Sequence, residues 1–195
     1  GVAGSASPSA VTDTERLLIG HSGEVTSLDI SPDGRIIASG SEDGTVRLWD
    51  FDAGLQLKIL KGHEAGVGDV CFCGDGQRVV SGDRLGQLRL WNVESGKANW
   101  ISDEKRRGGI TGLAGGTDGK RAVYSSDVGL AGVIDLEQGR TVKVFGEKKR
   151  GALHDVDVSR DGKFVLTGGD DKTARLWDAG SGSEKTVFQG HDDGV

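Results

Sequence analysis

No stretch of this 195-residue chain is apolar for long enough to cross a membrane. Its first residues, GVAGSASPSAV, are small and polar and lack the basic-then-apolar order of a secretory signal. Residues 1–14 are expected to form a flexible leader. Cysteine is scarce: the two present, Cys71 and Cys73, stand two apart in DVCFCGDG, so on a strand they share one face. That spacing makes neither an easy disulfide nor a complete metal site, and no second Cys/His pair follows. They read as packed thiols in a reducing compartment, which makes a cytoplasmic location the expectation and leaves a nuclear one open. Positive charge is in deficit, with 24 basic against 30 acidic residues and a formal net charge of −6. General nucleic-acid binding needs a basic footprint and is disfavoured, although a local patch is not excluded. Proline is rare, at two residues, whereas glycine reaches 34. Without a Gly-X-Y period this is not collagen, and the apolar runs are too regular for disorder. Glycine used in this way fits many tight turns between short strands.

What is present is a repeat. SGSEDGTVRLWD at 39–50 returns as TGGDDKTARLWD at 167–178 and, worn, as SGDRLGQLRLWN at 81–92. Asp-Gly recurs at 33–34, 75–76, 118–119 and 161–162, and the Trp-Asp slot at 49–50, 91–92, 134–135 and 177–178. Gly-His falls at 20–21, 62–63 and 190–191. All three anchors agree on a period of roughly 42–43 residues, in the range of propeller repeats. Within each unit, runs such as EVTSLDI, RIIASG, TVRLW and LQLKIL are short and rich in β-branched residues, and SPDG, EDG and FDAG between them carry turn chemistry. Each unit is thus expected to be four antiparallel strands, which must stack on neighbours to bury both faces.

On these motifs the chain resembles the WD-repeat (tryptophan-aspartate repeat) β-propeller family over roughly residues 15–195. The resemblance implies an all-β propeller with four complete four-stranded blades, in repeats of about 20–61, 62–104, 105–147 and 148–189, with the next unit starting at 190–195. Arg16 to Ile19, in ERLLIGH, match the fourth strand of a unit and are expected as a lone N-terminal outer strand. Seven units is the commonest closure in the family. The chain is therefore expected to be part of a seven-bladed ring whose remaining blades, about three more units, come from a C-terminal part; the alternative is a pairing of two copies into an eight-bladed ring.

The resemblance also assigns His21, Ser39, Asp43 and Trp49 to a hydrogen-bonded chain between strands. A catalytic Ser–His–Asp set needs an exposed nucleophile and an oxyanion site, and no enzyme needs its nucleophile several times over. The recurrence therefore reads as structural: buried polar groups satisfying one another. The second unit keeps His63, Ser81 and Trp91, but Leu85 fills the Asp slot. The fourth keeps Thr167, Asp171 and Trp177, but Lys149 fills the His slot. The third is most worn, with Arg106, Tyr124, Val128 and Ile134. Each missing bond costs roughly 0.5–1.5 kcal/mol, so units two and three are expected to be the softer ones. His154 aligns with Thr26 and is expected to be a strand residue. GGTDGK lacks the flanking residues of a phosphate loop, and HDVD offers too few ligands on one face for a metal. Neither an active site nor a cofactor is expected.

The functional expectation is a non-catalytic scaffold that binds partner proteins or peptides through its loops. The alternatives are the regulatory or sensor part of a larger multidomain protein and, less compatible with the net charge, a nucleic-acid-associated factor. In units three and four the His slot lies in basic triplets, Lys105–Arg106–Arg107 and Lys148–Lys149–Arg150. These align column for column, so they are expected on neighbouring blades at one rim, steering an acidic or phosphorylated partner.

Overall fold

The Asp-Gly anchors become hairpins for a local reason. In each, the glycine takes the left-handed conformation, with φ of 73° at Gly34, 67° at Gly76, 65° at Gly119 and 68° at Gly162. The aspartate accepts a hydrogen bond from the backbone two residues on, as Asp33 does from Arg35 N–H at 3.1 Å and Asp118 from Lys120 N–H at 2.8 Å. A computed structural model describes residues 16–102 and 108–195 and gives four antiparallel sheets of four strands each. The first holds β1 (Val25–Ile30), β2 (Ile36–Ser41), β3 (Thr45–Asp50) and β4 (Gln56–Lys61). The second holds β5 (Val67–Phe72), β6 (Arg78–Asp83), β7 (Leu88–Asn92) and β8 (Ala98–Ser102). The third holds β9 (Ile110–Gly115), β10 (Arg121–Ser126), β11 (Leu130–Asp135) and β12 (Arg140–Gly146). The fourth holds β13 (Leu153–Val158), β14 (Phe164–Gly169), β15 (Thr173–Asp178) and β16 (Glu184–Gln189). Strands in every sheet follow chain order, as the blades of a propeller do.

Three apolar clusters lie between consecutive sheets. Val46, Leu60, Val70 and Trp91 join the first to the second; Leu90, Ile110, Tyr124 and Ile134 join the second to the third; Val133, Phe145, Val165 and Trp177 join the third to the fourth. The glycines of the Ser-Gly and Thr-Gly-Gly signatures permit this approach. A Cβ on Gly40 would fall 2.7 Å from Val67 Cγ1, and one on Gly82 would fall 2.6 Å from Ile110. Gly168 stands in the same relation to Val195, whose N–H donates to the Gly169 carbonyl at 3.1 Å. Exposed Leu28 and Ile30 on the first sheet, and Leu166 and Phe188 on the fourth, mark faces that no described sheet covers.

Arg16 to Ile19 join no ladder among the described residues, and Leu17 and Ile19 are exposed. A strand is defined by its partner, and the four described sheets already have their own outer strands, so the outer strand expected here would have to pair with strands other than theirs.

Candidate functional site

Two buried relays run through the first and second sheets. Trp49 Nε1–H donates to Ser39 Oγ at 2.8 Å. An indole can only donate, so Ser39 is left to donate its own proton to His21 Nε2, 2.7 Å away. His21 Nδ1–H then faces Asp43 Oδ2 at 2.9 Å. The second relay has the same form: Trp91 Nε1 to Ser81 Oγ at 2.7 Å, Ser81 to His63 Nε2 at 2.6 Å, His63 Nδ1 to a carboxylate at 3.0 Å. That carboxylate is Asp83, which the slot pattern misses. Leu85 does stand in the aspartate slot, but Asp83, at the end of β6 and two residues earlier, reaches the imidazole instead. The bond whose absence made a softer second unit the expectation is therefore present. Its His63–Asp83 pair is the more deeply buried of the two, with side-chain exposures of 0% and 1% against 5% and 7% for His21–Asp43.

The other sheets solve the same positions differently. In the fourth, Trp177 Nε1–H donates to Thr167 Oγ1 at 2.9 Å, and the Trp177 ring stacks on Phe145. Asp171 turns to Arg175, 2.7 Å away, because Lys149 offers no imidazole and lies beside Glu147 at 2.9 Å. In the third, Tyr124 and Ile134 are fully buried among apolar neighbours. Gly132 makes room for the ring, since a Cβ there would meet Tyr124 at 2.7 Å. The indole and carboxylate ends of the relay, at Ile134 and Val128, have been replaced together, and among the described residues no buried side-chain N or O atom of this sheet lacks a hydrogen-bond partner, which removes the reason to expect a soft third unit. Among these residues Val128 stands in the aspartate slot, while Arg106 lies outside the described residues. His154, on β13, is half-exposed and pairs with Asp170 at 2.6 Å.

Every relay hydroxyl is enclosed and used twice, so none is a free nucleophile. Cys71 and Cys73 are buried free thiols. Burial pushes Cys71 well up and Cys73 up to about 12, so neither is a thiolate at neutral pH. Among the described residues no group of three or more His, Cys, Asp or Glu could hold a metal.

The carboxylates titrate in opposite directions. Burial would raise Asp43, but hydrogen bonds from Thr45, His21 and Ser22 N–H outweigh it and hold the group well below the usual range. Asp83 is held low in the same way, burial being overcome by His63 and the N–H groups of Gln87 and Leu85. Asp69 behaves differently. It joins three sheets, accepting from Ser27, from its neighbour Val70 N–H and from Leu113 N–H at 2.5 Å. Burial nevertheless dominates, helped by Asp155, and pushes it up to about 6. The relay carboxylates therefore add stability above the unfolded carboxylate pKa near 4, and it is lost as pH falls through their lower folded values. Asp69 adds stability that is complete below about pH 4 and lost as pH rises through about 6. Urea unfolding between pH 4 and 7 should show the second effect as a decline of roughly 1–3 kcal/mol. Asp69→Asn should flatten that decline, and a decline of unchanged size would remove Asp69 as its source.

Of the predicted rim, Lys105, Arg106 and Arg107 lie outside the described residues. Lys148–Arg150 forms a single 3₁₀ turn after β12. Its charge is partly spent: Arg150 reaches Glu147 and Glu184, each at 3.0 Å, and Lys149 pairs with Glu147. Lys148 and Lys149 remain exposed. The slot pattern named Leu85 but not its exposure, 60%, beside an Arg84–Glu42 ion pair of 2.5 Å. With the carboxylate supplied from Asp83, position 85 is free to carry an apolar side chain into solvent.

Comparison with known proteins agrees with this geometry. The sequence matches the family described as WD domain, G-beta repeat over residues 13–50, 54–92 and 139–178, together more than half the chain. It is 50% identical over 46 residues to Ribosome biogenesis protein erb1 of Botryotinia fuckeliana (strain B05.10), covering 24% of this chain and 6% of that protein. Small ribosomal subunit protein RACK1 is 50% identical over 40 residues in Medicago sativa, covering 20% of this chain and 12% of that protein. In Caenorhabditis elegans it is 48% identical over 42 residues, covering 22% and 13%. The matched segments thus span less than a sixth of these relatives' own length.

Proposed function

Because the chain belongs to the WD-repeat family, we propose that it is a non-catalytic scaffold whose rigid blades present loops to partner proteins. One observation carries this reading. The residues that could be mistaken for catalytic triads are consumed in holding strands together: Ser39 and Ser81 each accept from an indole and donate to an imidazole. Chemistry spent on rigidity suits a platform, since binding residues gather on loops that a scaffold fixes. The relatives are named for the small ribosomal subunit and for ribosome biogenesis, which supports a partner that is itself part of a large assembly. The partner surface proposed here is acidic or phosphorylated and approaches the rim of Lys148 and Lys149, extended by Lys105, Arg106 and Arg107.

Arg150 is left out of the test because reversing it would set three acids together at Glu147 and Glu184. Arg106, Arg107, Lys148 and Lys149 should instead all be changed to Glu. Association with an acidic phosphopeptide should then slow by about tenfold at low salt, and its dependence on salt between roughly 50 and 300 mM should vanish. Stopped-flow kinetics unchanged from the wild type would reduce the rim to ordinary solvated loops.

A further inference from the structure

The seams between sheets open outward as grooves at equivalent places. The groove between the first and second sheets and that between the second and third correspond residue for residue: Leu48 to Leu90, Gly76 to Gly119, Glu94 to Glu137. They differ on the outer strand, where the first has Lys58 and the second has Trp100. Trp100 reaches across to the next sheet. Its ring covers Gly139, where a Cβ would fall 2.9 Å away, and its Nε1–H donates to the Leu136 carbonyl at 2.8 Å. The chain thus plugs its own second groove with an indole.

The first groove holds no indole. Lys58 lays only its aliphatic stem over Gly96, at 3.0 Å from where a Cβ would be. About 550 Å³ remains there, against about 430 Å³ in the second. Its walls are also more apolar, because Ile36 and Leu57 stand where the second groove has Arg78 and Asn99. Leu57 is 48% exposed, an unusual cost for a side chain bordering a seam. The Val93 carbonyl, counterpart of the one that receives Trp100, takes no side-chain donor among the described residues, and Lys58 forms no ion pair among them. Glu94 stands at the mouth, but so does Glu137 beside the seated indole.

We propose that the groove between the first and second blades docks a tryptophan side chain of a partner protein, next to a carboxylate of that partner that pairs with Lys58. The indole would lie against Ile36, Leu48 and Leu57 and donate to the Val93 carbonyl, as Trp100 does to Leu136. An aromatic anchor in a preformed pocket is the usual centre of a binding hot spot. The proposal deepens the scaffold reading by naming a partner chemistry at a site on the flank, and it fails separately, since reversing the rim charges leaves this groove intact.

The test is an NMR titration of the whole chain with the capped dipeptide acetyl-Asp-Trp-amide, using acetyl-Asp-Ala-amide as control. The methyl signals of Ile36, Leu57 and Val93 should shift saturably with the first peptide and not with the second. Lys58→Trp builds the second groove's plug into the first; it should weaken binding at least tenfold without lowering the melting temperature. Leu57→Asp, at an exposed position, should weaken binding equally in a folded protein and decides the matter if Lys58→Trp does not fold. The proposal is overturned by the absence of a saturable shift, by shifts located elsewhere, or by full binding in both variants. It is overturned equally if the same methyl shifts appear on raising the protein concentration alone, which would give the groove to a second copy.

Discussion

Trp91→Ala should lower the unfolding free energy by about 3–5 kcal/mol, the range for a large buried aromatic. Trp91 is 2% exposed and sits in the cluster that joins the first and second blades. Arg89 lies over its ring with the guanidinium carbon 5.6 Å from the centroid, and His63 meets it edge-on at 6.2 Å. Truncation opens a cavity between two sheets and strips Ser81 of its donor. Trp91→Phe keeps most of the packing and removes only that bond, so its cost should fall to roughly 1–2 kcal/mol. Urea unfolding of both variants separates packing from hydrogen bonding. Equal losses would mean that the indole N–H carries the whole effect.

Asp83→Ser should cost about 2–4 kcal/mol, because removing one member of a buried pair leaves the other without a partner. Among the described residues His63 Nδ1 faces only Asp83, and Asp83 also accepts from Leu85 N–H at 3.0 Å and Gln87 N–H at 2.8 Å. Serine can still cap the turn, as Ser41 does for Asp43 N–H in the first blade, but it cannot reach the imidazole. The loss should be greatest near neutral pH and shrink on acidification, since hydrogen bonds from His63 and two backbone N–H groups hold the Asp83 carboxyl below its ordinary range. A loss that stayed constant down to pH 3 would show that the carboxylate charge is not its origin.

The four sheets were legible because their signals are local. An Asp-Gly pair needs only its own backbone to turn, and a strand shows its buried side by alternation. The first relay was legible through the family resemblance. Asp83 was not, because counting slots treats a carboxylate as fixed in sequence when it need only be fixed in space. The usable signal was an aspartate two residues before the empty slot, where the side chain lies on the same side of the strand end. The pairing of Arg150 was hidden for a different reason: Glu184 lies on β16, 34 residues away, and only the folded sheet brings them together. Arg16 to Ile19 had the composition of an outer strand, but composition cannot supply a neighbour. Trp100 falls in none of the repeated slots, and what it fills follows only from the folded grooves, where it occupies the place that Lys58 holds in the first.

The central claim is that the carboxylate–imidazole–hydroxyl–indole relay is a structural device whose carboxylate can come from either of two positions. The most direct test is the stability of the double variant Asp83→Ser/Leu85→Asp, which rebuilds in the second blade the Ser41 and Asp43 arrangement of the first. Its urea unfolding free energy should return most of what Asp83→Ser alone loses. A double variant as unstable as the single one, or a single variant as stable as the wild type, would contradict the account.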